Sequence, residues 1–170
     1  MKKIILIATI LFSINLITFA QKVGYVDTEY ILSKIPEYKA AQVELDKVST
    51  LWQKEIDAKY AEIEKMYRAF EAEQILLTEE MKAKRKKDIS EKELEVKELQ
   101  KQRFGIGGEL FKKRQALVKP IQDKIYNSIK AIAFKGKYSI IFDKASALTM
   151  LYTSPKLDKS KAVLKHMGIK

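Results

Sequence analysis

The residues in this chain that could do chemistry are few, and their settings argue against catalysis. The one histidine, His166, is flanked by Lys165 and Met167, which offer none of the polar partners that a base or metal ligand needs. There is no cysteine, so thiolate nucleophiles, disulfides and cysteine-type zinc sites are excluded. Aspartates and glutamates are plentiful, but through the middle of the chain they alternate with Lys and Arg, as on a solvated helix face. Paired catalytic carboxylates need a cleft instead. Gly105-Ile106-Gly107-Gly108 superficially resembles a phosphate-binding loop. It falls inside a helical stretch rather than after a strand and lacks the full spacing, so it reads as a helix break. No enzymatic activity, cofactor or metal is expected.

The strongest chemical signal is electrostatic. Lys82, Lys84, Arg85, Lys86 and Lys87 place five cations in six residues, beside Ile75, Leu76, Leu77 and Met81. Such a cluster suits contact with an anionic surface or an unfolded client. The blander alternative is a solvated face with apolar residues that close a turn. The cluster is read here as concentrated and unpaired. Nucleic acid is not an expected partner, because aromatic residues are not interleaved with the cations and the chain is expected to be exported.

The elements that must carry these residues follow from periodicity. Leu45, Val48, Trp52, Ile56, Tyr60, Ile63, Tyr67, Phe70 and Leu77 recur at steps of three and four, with one double step across Gln74. They form one stripe along a helix. A return leg carries Ile89, Val96, Leu99, Ile106, Leu110, Val118, Ile121, Ile125, Ile129 and Ile132. Residues 40–135 therefore read as a long antiparallel helical hairpin, a coiled-coil arm with its tip near 78–81, where Thr78 can cap the second leg. The return leg is the longer one; the outward leg of about 40 residues gives an arm on the order of 60 Å. That is longer than a compact domain of this size, so it must protrude. Glu55/Lys59 and Glu64/Arg68 are i,i+4 pairs in the favoured order. Gly105, Gly107, Gly108 and Pro120 are candidate hinges, and Gly136 is placed to end the helix.

Residues 21–39 and 136–170 supply the rest. Lys22–Val26 reads as a strand, Asp27 as the cap of a short helix over Thr28–Lys34, and Pro36 as the first residue of the outward leg. Lys137–Asp143 and Leu148–Tyr152 read as two more strands joined by a turn over residues 144–147, followed by a helix over Asp158–Met167. The fold class is α+β, predominantly α: a helical arm projecting from a small β body. Three short strands make little core, so several copies are expected to share them. Val23, Tyr25, Val26, Ile140 and Phe142 are the candidate oligomer interface.

Residues 1–20 have the look of a secretory signal. Lys2 and Lys3 precede an apolar run over 4–19, and Thr18-Phe19-Ala20 sets small residues where a peptidase cuts, before Gln21. The formal charge of +11 stays strongly positive once those lysines are lost. The expected location is a periplasm-like space.

The order of these parts, with Val-Gly-Tyr-Val-Asp at Val23–Asp27 and Tyr-Ser-Ile-Ile-Phe-Asp-Lys at Tyr138–Lys144, resembles the Skp/OmpH family of periplasmic chaperones over the whole mature chain. The resemblance implies a homotrimer joined through the β body, with three arms around a cavity. It implies ATP-independent holding of unfolded outer-membrane proteins on their way to the outer membrane. Contacts of basic arms with anionic lipid or lipopolysaccharide are also implied. No residue-level lipid motif of the family matches, so the cluster at 82–87 stands on its own chemistry. The alternative is a structural coiled-coil spacer or adaptor of the cell envelope.

Overall fold

The computed structural model describes residues 21–146 and 150–169. The expected signal segment, residues 1–20, lies outside the described residues. The elements run β1 (Val23–Val26), α1 (Thr28–Lys34), α2 (Pro36–Glu73), α3 (Glu79–Phe104), α4 (Glu109–Gly136), β2 (Ile140–Asp143), a 3-10 turn (Pro155–Leu157) and α5 (Ser160–His166). The chain divides into two compact units. One is residues 32–125; the other combines the described residues up to 31 with those from 126 onward.

In the first unit, α2 begins with Pro36 in its first turn, where a missing amide hydrogen costs nothing. It runs to Glu73 and packs against α3. Four cross-helix pairs fix the direction: Glu55 with Arg103, Tyr60 with Gln100, Tyr67 with Glu93 and Glu73 with Arg85. As one partner number rises the other falls, so the helices are antiparallel. Ile56, Ile63, Ile89 and Val96 form the buried seam, with Met66, Phe70, Leu99 and Phe104 packed on it. Burying each such aliphatic side chain contributes about 1.5–3 kcal/mol. That seam holds α3, which is otherwise almost wholly polar.

The second unit is built on a parallel pair. Val23 aligns with Ile140, Gly24 with Ile141, Tyr25 with Phe142 and Val26 with Asp143. On the other edge of β1, Tyr25 makes an isolated parallel bridge with Asp158, and its carbonyl accepts from the Lys159 amide at 2.8 Å. The expected third strand is therefore corrected. Residues 147–149 lie outside the described residues, residues 150–152 are not strand, and the segment around Asp158 takes that edge.

Polar ties close this unit. Asp27 caps α1 through its carboxylate to the Tyr30 amide at 2.9 Å. The Asp27 amide donates to Ser160 Oγ at 2.9 Å, and Ser160 donates in turn to Asp158 at 2.6 Å. Ser160 is almost fully buried beside Val163 and Leu164, and the closed chain of bonds is what makes a buried hydroxyl tolerable.

Gly136 ends α4, but its role differs from the expected one. The left-handed residue is Lys137, at φ 53°. The Tyr138 amide bonds back to the Ala133 carbonyl and the Lys137 amide to Phe134, the double closure of a Schellman ending. Glycine is needed one place earlier, because a Cβ on Gly136 would stand 2.3 Å from the Tyr138 ring.

Candidate functional site

Between α2 and α3 the chain reverses in five residues, Gln74 to Thr78. The Gln74 amide still bonds to Phe70 and the Leu76 amide to Glu73, so α2 unwinds through tight turns with no glycine. Thr78 then accepts from the Met81 amide at 3.3 Å and caps α3. Among the described residues nothing covers the crest. Ile75 and Leu76 are 88% and 87% exposed, and Met81 is 51% exposed. Leu77 is half-buried.

The five cations stand on the first turns of α3, and the expectation that they are unpaired is corrected. Lys82 pairs with Glu79 at 2.7 Å, Arg85 with Glu73 across the turn at 3.3 Å, and Lys87 with Glu91 at 3.7 Å. Lys86 lies 5.8 Å over the Phe70 ring, close enough for a cation–π contact, beside a shallow hollow lined by Tyr67, Phe70, Glu71, Gln74, Lys86 and Ile89. The carboxylates come from the helix start, from one turn further along α3 and from across the chain reversal, where a list of cations alone does not reveal them. The hydrogen bond from Lys82 and its charge hold the Glu79 carboxyl below its ordinary range. Glu93 raises Tyr67 by accepting its phenolic hydrogen. These pairs are exposed and still present cations to solvent, so they moderate the patch without cancelling it.

The other candidate residues lie elsewhere. Tyr25 and Val26 are buried within the chain and Val23 is half-buried, whereas Ile140 and Phe142 across the parallel register are 46% and 38% exposed. Of the candidate interface, β1 is thus largely covered within the chain, while β2 leaves Ile140 and Phe142 exposed. Leu151 and Tyr152, close by in sequence, are also exposed. Gly105, Gly107 and Gly108 fall at the break between α3 and α4. Gly107 has φ +73°, and Cβ atoms on Gly105 and Gly108 would stand 2.3 Å and 2.7 Å from the carbonyl oxygens of Lys101 and Gln102. Pro120 sits inside α4, which runs through it without a break. His166 Nδ1 lies 3.2 Å from Ser128 Oγ.

Periodicity did not single out Arg103. Glu64 does pair with Arg68, but Glu55 pairs with Arg103 on α3. The usable signal was mirror position: a reversal centred near residue 79 sets 103 opposite 55.

The chain has similarities to known proteins. A family model described as outer membrane protein (OmpH-like) matches residues 22–167. An uncharacterized protein of Aquifex aeolicus (strain VF5) is 30% identical over 167 residues, covering 98% of this chain and 96% of that protein. A crystal structure from Caulobacter crescentus CB15, described as that of a proposed OmpH-like outer membrane chaperone, superposes with a TM-score of 0.67 at 14% identity. It covers 87% of this chain and 84% of that one. At that identity the likeness speaks to the fold.

Proposed function

The chain belongs to the OmpH-like outer membrane protein family, and from that premise we propose that it is an ATP-independent holdase of the periplasm for unfolded outer-membrane proteins. The observation that carries this is the family match across nearly all of the chain beyond residue 21. The antiparallel α2–α3 pair supports it as the arm. Its side chains outside the seam include Val43, Leu51, Tyr60, Tyr67 and Leu94, all exposed among charges. Scattered apolar contacts on a charged surface suit clients that share no sequence, because such surfaces discriminate weakly. Self-association, with three copies sharing β1 and β2, would cover Ile140 and Phe142. The crest at Ile75–Leu76 with Lys82–Lys87 would meet anionic lipid or lipopolysaccharide, and the glycine break with Pro120 would let a cavity widen.

The test is direct. An unfolded β-barrel protein diluted from urea should stay soluble when this protein is present in stoichiometric amounts, with no nucleotide added. Light scattering reads the result. Unchanged client aggregation at several-fold excess rejects the holdase reading and leaves a spacer or adaptor role. Scattering from the mature protein alone gives its assembly state.

A further inference from the structure

The glycine break between α3 and α4 is bridged by side chains. Glu109, the first residue of α4, is held by the last turn of α3: Arg103 pairs with one carboxylate oxygen, and Gln102 donates to the other at 3.0 Å. The same Arg103 reaches back to α2. Its second terminal nitrogen lies 3.5 Å from Glu55, and its guanidinium sits 4.6 Å from the centre of the Trp52 ring. Phe104 meets that ring edge-on, with centroids 6.3 Å apart at 85°. One side chain therefore ties three helices together.

Beneath this tie three of the four residues 105–108 are glycine, the residue type that restricts backbone rotation least. Gly107 takes a left-handed φ, with nothing within 4 Å of where a Cβ would stand. Ile106 is fully exposed. The bonds that cross the break are short-range: Gly105 to Lys101, Gly108 to Gly105 and Lys112 to Gly108.

We propose that Arg103 is an ionic latch: seated between Glu55, Glu109 and the face of Trp52 it fixes the angle between α3 and α4, and on release it frees α4 to swing about Gly105–Gly108. The geometry gives it a low cost of release. The side chains of Arg103, Glu109 and Glu55 are 23%, 34% and 41% exposed, so salt screens them. Arg103 Nε is buried without a partner among the described residues, and release returns that donor to water. A guanidinium is required, because only a planar fork can meet two carboxylates while stacking on a ring. The latch is a property of this chain alone and does not depend on what the protein holds.

Trp52 is the only tryptophan, so the protein reports on its own latch. The experiment compares full-length mature wild type, Glu109→Gln and Glu55→Gln by amide hydrogen exchange and by acrylamide quenching of Trp52. Glu109→Gln should speed exchange at Gly105, Gly108 and Lys112 by roughly three- to tenfold, the loss expected for one partly exposed charged pair, and raise quenching. Glu55→Gln should do the same from another helix, 48 residues from Arg103. Wild type in 0.5 M salt should move in the same direction, which keeps the test open if a variant folds poorly. The latch is overturned if Glu55→Gln leaves exchange at 105–112 unchanged, if salt has no effect there, or if acceleration spreads evenly over residues 32–125.

Discussion

Thr28 donates its hydroxyl to Asp143 across 2.7 Å, although 115 positions separate the two in the chain. The same carboxylate accepts the Thr28 amide at 3.1 Å and the Ala145 amide at 3.1 Å. One side chain at the end of β2 thus fixes the start of α1 and the turn that follows β2. Replacing Asp143 by Ala strands partly buried donors, at a cost of about 1–3 kcal/mol. The melting temperature should fall by a few degrees per kcal/mol, and Asp143→Asn should fall less. A melting curve identical to wild type for Asp143→Ala would show that these bonds contribute nothing.

The α4 ending yields two substitutions of opposite sign. Lys137 holds φ 53°, which costs a side-chain-bearing residue about 1 kcal/mol that glycine does not bear. Lys137→Gly should therefore raise the urea midpoint. Gly136→Ala should lower it, since its new methyl would collide with the Tyr138 ring. If both changes shift the midpoint the same way, this account of the ending is wrong.

Acid should loosen the start of α3. Glu79 has a folded-state pKa below its ordinary 4.5 because of Lys82. Its stabilising contribution is complete above that value and is lost as pH falls through the lowered one. The test is amide protection at Met81 and Lys82, taken as the ratio of wild type to Glu79→Gln. That ratio should exceed one at neutral pH and approach one in acid. A constant ratio across the range would contradict the assignment.

Binding to anionic vesicles tests the crest. Reversing Lys84 and Lys86 to Glu should weaken co-sedimentation at low salt by about thirtyfold or more, on the order of 1 kcal/mol for each cation lost near the surface. Leu76→Asp should weaken it further without changing helicity, since that side chain is 87% exposed. Undiminished binding by both variants would remove the anionic surface from the list of partners.

Much of this architecture could be read from the sequence, and the misses have physical reasons. Steps of three and four name the face of α2 because a helix turns every 3.6 residues, and Ile56 and Ile63 are indeed buried. Pro36 and Thr78 mark helix starts by chemistry that acts within four residues. The Skp/OmpH resemblance, drawn from Val23–Asp27 and Tyr138–Lys144, agrees with the family match. Non-local geometry was the harder part. The occupation of one β1 edge by Asp158 and the Glu73 carboxylate facing Arg85 are set by how distant segments meet. Local pattern does not encode them. Arg103 was missed for the same reason: its partners are a turn beyond the break and a helix away.

β1 and β2 run side by side in the same direction. No hairpin can join such a pair, and the connection runs through α1 and the three long helices α2, α3 and α4. The first strand is synthesised well over a hundred residues before its mate, and closing so long a loop carries a large entropic toll. Until the C-terminal segment is made, Val23–Val26 has open hydrogen-bonding edges. A nascent copy thus carries the same aggregation hazard that its proposed clients present, and its small sheet is among the last parts to close.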